Sequence, residues 1–106
     1  MIDAQIIIDP PALGLTLRGH AGYNPGNDVV CAGVSAIVFT LLGWIENNRD
    51  ALARVQKLRY NAGEADILIA GDEQAQAVFE AAAIGLCQIE AAHPRYIKVS
   101  LNKKSL

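Results

Sequence analysis

Residues 2–8 alternate, with Ile2, Ala4, Ile6 and Ile8 facing one way and Asp3, Gln5 and Ile7 the other. That period of two predicts a half-buried strand. Pro10-Pro11 ends it, because proline cannot donate to a ladder. Residues 13–20 repeat the pattern, Leu13, Leu15 and Leu17 inward and Thr16, Arg18 and His20 outward. The short proline connection makes the two strands hairpin partners. Residues 21–27 are turn chemistry throughout, and Asp28 suits the N-cap of a helix running to about Asn47 or Asn48. Residues 49–57 fit either a last helical turn or a loop. Residues 55–60 and 66–70 predict strands joined by Asn61-Ala62-Gly63-Glu64, a second hairpin. A second helix opens at Gly71 or Asp72 and runs to about Ala92. Its stripe of Ala75, Val78, Phe79, Ala82, Leu86 and Ile89 faces a core, and Glu73, Gln76, Glu80 and Glu90 face water. His93-Pro94 stops it, and residues 96–101 alternate again. The order β-β-α-β-β-α-β implies an α+β fold, a mostly antiparallel sheet with two helices packed on one face.

Residues 29–45 carry no charge, a run long for a soluble helix and short for a membrane span. Gly33, Ser35, Thr40 and Gly43 dilute it, and Asp28 and Glu46 bracket it, so a buried helix is expected and not a membrane anchor. A helix apolar on all sides must be covered on all sides, and a chain of 106 residues can hardly do that alone.

The length argues for one domain, residues 1–106, without repeat, linker or low-complexity run. Folding at this size removes roughly 65% of the extended chain's surface from water, enough for one core. With 52% apolar and 19% charged residues, a disordered segment is excluded. Nine basic against eleven acidic side chains leave a net charge of −2, so direct nucleic-acid binding is not expected. Two cysteines exclude a disulfide scaffold. No basic stretch followed by an apolar one opens the chain, so no secretory leader is expected and the cytoplasm is the expected compartment.

Cys31 falls in the first turn of the first helix, where partial positive charge and unpaired amides favour a thiolate. His20, at the end of a strand, can be brought to it by the intervening turn. Amides of the same first turn are then candidates for an oxyanion site, and Ser35 lies one helical turn on. The plainer reading is a small core cysteine and a solvated histidine. Cys87, deep in the second helix, is expected to be a core thiol, and His93 a helix-end neighbour. Cys31, Cys87, His20 and His93 lack metal-ligand spacing. Gly22 and Gly26 lack a phosphate-loop signature, so neither metal nor cofactor is expected. Asn102-Lys103-Lys104-Ser105 reads as a solvated basic end.

Gly19-His20-Ala21 followed by Gly26-Asn27-Asp28-Val29-Val30-Cys31-Ala32-Gly33-Val34-Ser35 resembles the signature of the ribosomal-processing cysteine protease family. Its pattern is Gly-His-Ala, a variable turn, then Gly-x-Asp-x-Val-Cys-Ala-x-x-Ser. The resemblance implies an endopeptidase with Cys31 as nucleophile and His20 as base. Its substrate would be a ribosomal protein precursor, the twenty-seventh protein of the large subunit, from which a short N-terminal extension is cut after bulky apolar residues. It also implies a homodimer, which accords with the incompletely covered helix. Gly19, Gly22, Gly26, Asp28 and Ser35 are the supporting or substrate-binding candidates, Asp28 as either a third triad member or a helix cap. The alternative is a non-catalytic ribosome-assembly factor binding the same precursor or ribosomal RNA. A structural dimerisation module would leave the Gly-His-Ala turn unexplained.

Overall fold

Strand β1 (Ile2–Asp9) sets the two sides of the sheet. Ile2, Ala4, Ile6 and Ile8 are at most 2% exposed, whereas Asp3, Gln5 and Ile7 are exposed, as their alternation demands. The chain reverses through Pro10-Pro11, a cis peptide, into β2 (Ala12–Arg18), with Asp9 opposite Ala12. Leu13, Leu15 and Leu17 are buried on the same side as the β1 isoleucines. The structure is a computed structural model and describes residues 1–19, 28–61 and 63–104. The strand predicted to reach His20 stops at Arg18. Gly19 takes φ +96°, outside the β region and open to glycine without strain. His20 lies outside the described residues.

Helix α1 (Val29–Asn47) has the expected bounds. The undecided stretch after it is a single 3-10 turn, Arg49–Ala51, and then β3 (Arg54–Asn61). β4 (Glu64–Ala70), α2 (Glu73–Ala92) and β5 (Ile97–Lys103) complete the order. The sheet runs β3-β4-β2-β1-β5. The two hairpin pairings, β1–β2 and β3–β4, and the non-consecutive pairing β2–β4 are antiparallel, and β5 lies parallel to β1, reached by the crossover through α2 that a parallel neighbour requires.

Both helices contribute to one core with the inner face of the sheet. From α1 the buried side chains are Val30, Val34, Val38, Leu41 and Ile45, a stripe at helical spacing. Cys31, Ile37, Leu42 and Trp44 pack partly against that core, and the open side of α1 carries Val29, 51% exposed, and Phe39, 58% exposed. By length and composition α1 could cross a membrane, with mean hydropathy 2.0 and 28% of the stretch buried. Here its buried stripe completes the core above the sheet. The helices approach each other at glycines. A Cβ on Gly33 would sit 3.3 Å from Ile89 Cδ1, and one on Gly85 2.9 Å from Ile37 Cδ1. As one index rises by four the other falls by four, so α1 and α2 run antiparallel.

Three polar expectations need correction. Glu90 does not simply face water: its Oε2 accepts the Val99 N–H of β5 at 2.7 Å, giving an edge-strand donor a partner it would otherwise lack. Gln76 and Glu80 are half-buried and bonded to each other at 2.8 Å, with Lys103 Nζ 3.5 Å from Glu80. Nor is the basic end merely solvated. Lys103 belongs to β5, and the Lys104 N–H donates to the Ile8 carbonyl at 2.9 Å. On edge strand β3 the register shifts between Val55 and Lys57, a bulge.

On the helix-free face, Asp66 is 8% exposed, and burial of a carboxylate there requires partners. Arg18 Nη2 donates to both its oxygens at 2.9 and 3.1 Å, and Arg59 Nη2 to Oδ2 at 2.8 Å. Arg18 Nη1 also reaches the carbonyls of Leu17 and Ala65. This cluster ties β2, β4 and β3 together. The hydrogen bond from Arg59, and then that from Arg18, hold the Asp66 carboxyl below its ordinary 3.8. A carboxyl depressed by folding contributes fully above 3.8 and loses that contribution as pH falls through its folded value. Both arginines are substantially solvated, so salt screens the effect. Urea midpoints measured at descending pH should fall below pH 3.8 in the parent, and more shallowly in Asp66→Asn. Parallel curves would show that these bonds contribute nothing to acid sensitivity.

Candidate active site

The first turn of α1 is built by Asp28. Its backbone is extended (φ −89°, ψ 93°), and its Oδ1 accepts the Cys31 N–H at 2.9 Å. The Asp28 carbonyl accepts the Ala32 N–H at 3.0 Å. This is the side-chain cap that aspartate supplies to an orphan amide; the other role named for Asp28, as a third triad member, involves His20, which lies outside the described residues. It also narrows an expectation. The amides of Cys31 and Ala32 are committed to Asp28, and an oxyanion at this helix end would need other donors or a shift of the cap.

Cys31 is half-buried and packed against the core. It lines a cavity of about 220 Å³. The apolar wall comes from Ile2, Leu17 and Val34, the polar end from Ser35 and Tyr60, and the rim from Gly19 and Gly63. Pockets for whole small molecules run to roughly 300–1,000 Å³; this one suits a single side chain or a few peptide atoms. Four parts of the fold meet here: the start of β1, the end of β2, the tip of the β3–β4 hairpin and the start of α1.

Gly19 holds these elements in register. Its N–H donates to the Gly63 carbonyl at 2.9 Å, and a Cβ there would collide with the Met1 carbonyl oxygen. The residue that precedes His20 is thus pinned between the hairpin tip and the start of β1. His20 itself, with Gly22, Gly26, Tyr23 and Pro25, lies outside the described residues. Of the candidate site residues, the structure brings Cys31, Ser35 and Gly19 to one cavity and puts Asp28 on the helix end beside them.

Tyr60 was not anticipated. It lies opposite Ala65 in β4, which is opposite Leu17 in β2, so it shares the inner face with a wall residue of the cavity. Its hydroxyl is 3.1 Å from Ser35 Oγ, and its ring stands edge-on to Phe39 with centroids 5.2 Å apart at 75°. A hydroxyl on the inner face of a strand was the available signal, but its partner is 25 residues away.

Cys87 is a correction. It is half-buried, not a core thiol, and lines a separate cavity of about 340 Å³ with Ile84 and Leu101. One residue past Leu86, about 100° further round the helix, the side chain lies off the buried stripe of Ala75, Phe79, Ala83 and Leu86. His93 is the C-cap residue of α2, its N–H donating to the Ile89 carbonyl at 2.8 Å. Among the described residues, no group of three or more His, Cys, Asp or Glu could hold a metal ion.

Residues 1–98 match the family described as Cysteine protease Prp. The chain belongs to the cysteine protease Prp family. A Prp relative from Mycoplasma pneumoniae, the Ribosomal processing cysteine protease Prp, is 49% identical over 39 residues, 36% of this chain and 39% of that protein. The match thus spans about two fifths of that relative's length. The essential ribosomal processing protease Prp from S. aureus, solved with a covalently linked product peptide, superposes with TM-score 0.79. It is 24% identical, covering 96% of this chain and 100% of that one. SMU.848 from Streptococcus mutans gives TM-score 0.72 and 26% identity over 98% and 96% of the two chains. The α+β arrangement of mixed sheet and paired helices is therefore the Prp fold.

If Asp28 acts through its cap, Asp28→Ala should lower unfolding stability by about 1 kcal/mol, and Asp28→Asn, which keeps an acceptor, by much less. Chemical denaturation of the three proteins checks this, and equal losses would remove the cap from the account.

Proposed function

We propose that this chain is an endopeptidase with Cys31 as nucleophile and His20 as its acid–base partner. Its substrate is the N-terminal extension of the twenty-seventh protein of the large ribosomal subunit, in a bacterium whose copy carries one. The observation that carries the reading is the position of Cys31, half-buried at a capped helix start and facing a cavity of peptide-fragment size. The matched relatives support the same reading: one is named a ribosomal processing cysteine protease, and the S. aureus protease holds a covalently linked product peptide.

In the proposed reaction the Cys31 thiolate attacks the scissile carbonyl carbon, and the electron pair moves to oxygen. The tetrahedral species collapses, the C–N bond breaks, and the His20 imidazolium gives its proton to the leaving amine. Water then attacks the thioester while neutral His20 accepts its proton. The acid product leaves and Cys31 returns to thiolate. This sequence consumes only water and needs neither metal nor organic cofactor. The apolar wall of Ile2, Leu17 and Val34 favours a large apolar side chain beside the cut.

A homodimer in the cytoplasm belongs to the same proposal. The open side of α1 carries exposed Val29 and Phe39. An apolar groove of about 400 Å³ runs between Ile37 and Trp44 of α1 and Val78 and Ala81 of α2, a surface a twofold copy can cover.

Cys31→Ala and His20→Ala should each reduce cleavage of the precursor by several orders of magnitude and to similar extents, because the pair acts as one unit. Iodoacetamide at neutral pH should label Cys31 before Cys87, with loss of activity tracking Cys31 labelling in peptide maps. Parent-level cleavage by Cys31→Ala would end the protease reading. Sedimentation at micromolar concentration should give twice the chain mass; a monomer alone would end the dimer reading.

A further inference from the structure

We propose that Tyr60 is a positioning residue of the Cys31 site. Its phenol donates to Ser35 Oγ and so holds that hydroxyl in place at the cavity that Cys31 lines. This inference rests on the protease reading and adds a residue from outside the Gly-His-Ala and Cys-Ala segments.

The two oxygens are 3.1 Å apart, and either could donate. A phenol is the more acidic of the two hydroxyls and so the better donor, while the serine oxygen has two lone pairs to accept with. A serine within a helix can return its hydrogen to the carbonyl four residues back, which here belongs to Cys31; accepting from Tyr60 fixes the oxygen and leaves that hydrogen to be donated. Tyr60 approaches from β3, a different element, and both residues form part of the cavity lining. Its ring is held by the edge-on contact with Phe39 of α1 and by its place in the row with Ala65 and Leu17. The donor is therefore supplied from a strand and is orientationally fixed, the condition for holding a site group in one geometry. The Ser35 hydrogen is then available to the Cys31 sulfur or to a carbonyl oxygen of bound peptide, depending on the stage of the reaction.

A brace between β3 and α1 would affect stability alone, so the test reads turnover. The parent, Tyr60→Phe, Ser35→Ala and the double variant are assayed on an internally quenched peptide with leucine before the scissile bond. Tyr60→Phe keeps the ring and the Phe39 contact and removes only the hydroxyl. It should lower kcat about fivefold, the worth of one neutral hydrogen bond, with KM changed less than about twofold. Ser35→Ala should lower kcat at least as much, and adding Tyr60→Phe to it should cost nothing further, because the tyrosine acts through the serine. An unchanged kcat in Tyr60→Phe, or losses that multiply in the double variant, would overturn the proposal. Cys31→Ala runs alongside. If it is inactive while Tyr60→Phe matches the parent, only this inference fails; if it cleaves at the parent rate, the protease reading fails first.

Discussion

The seat of α1 on the sheet is the constraint from which the site follows. Val30, Val34, Val38, Leu41 and Ile45 are each at most 2% exposed. Burying an aliphatic side chain of this size is worth roughly 1.5–3 kcal/mol, so the stripe contributes on the order of 10 kcal/mol gross. That is comparable with the roughly 5–15 kcal/mol net stability of an ordinary domain. The helix therefore cannot lift or roll without loss of the fold. Cys31 adjoins the first residue of the stripe and Ser35 adjoins the second, so their places relative to β2 and β3 are as secure as the core.

Most of the fold was legible because its signals are local. Alternation in β1 and β2, the uncharged run of α1 and the proline after His93 each act within a few residues, and the elements fall where those patterns put them. The errors have a common cause. The Glu90 carboxylate reads as a solvent-facing helix position, yet its partner is a strand amide nine residues on. Asp66 reads as the start of an alternating strand; its two arginines are 48 and 7 residues away. Cys87 sits four positions past buried Ala83, about 40° round the helix, too small an angular difference to settle from composition. In the site, Asp28, Cys31 and Ser35 stood out by spacing and Gly19 through the family resemblance, whereas Tyr60 joins them only through strand pairing. Strand termination at Arg18 was also readable in principle, since a glycine followed the last inward leucine by two residues.

The start of α1 serves two demands at once. A helix end stripped of partners offers amides to an anion, but it also frays. Asp28 meets the second demand by occupying the Cys31 and Ala32 amides, and in doing so places a carboxylate close to the sulfur's own backbone. Negative charge there opposes a second negative charge nearby, so a cationic partner for the thiolate matters more here than at an uncapped helix end.

The two margins of the sheet bear on how these molecules behave when crowded together. An open five-stranded sheet offers two rows of unpaired backbone groups to any neighbour, the usual starting point of ordered aggregates. On one margin the Glu90 carboxylate already occupies the Val99 amide of β5. On the other, β3 carries Arg54, Lys57 and Arg59 along a strand whose regular pairing is broken between Val55 and Lys57, so a like strand would meet repelling charge and a bent template. Strand-on-strand stacking is disfavoured at both margins, and the apolar surface of the helices is left as the side on which copies can meet without fibre growth.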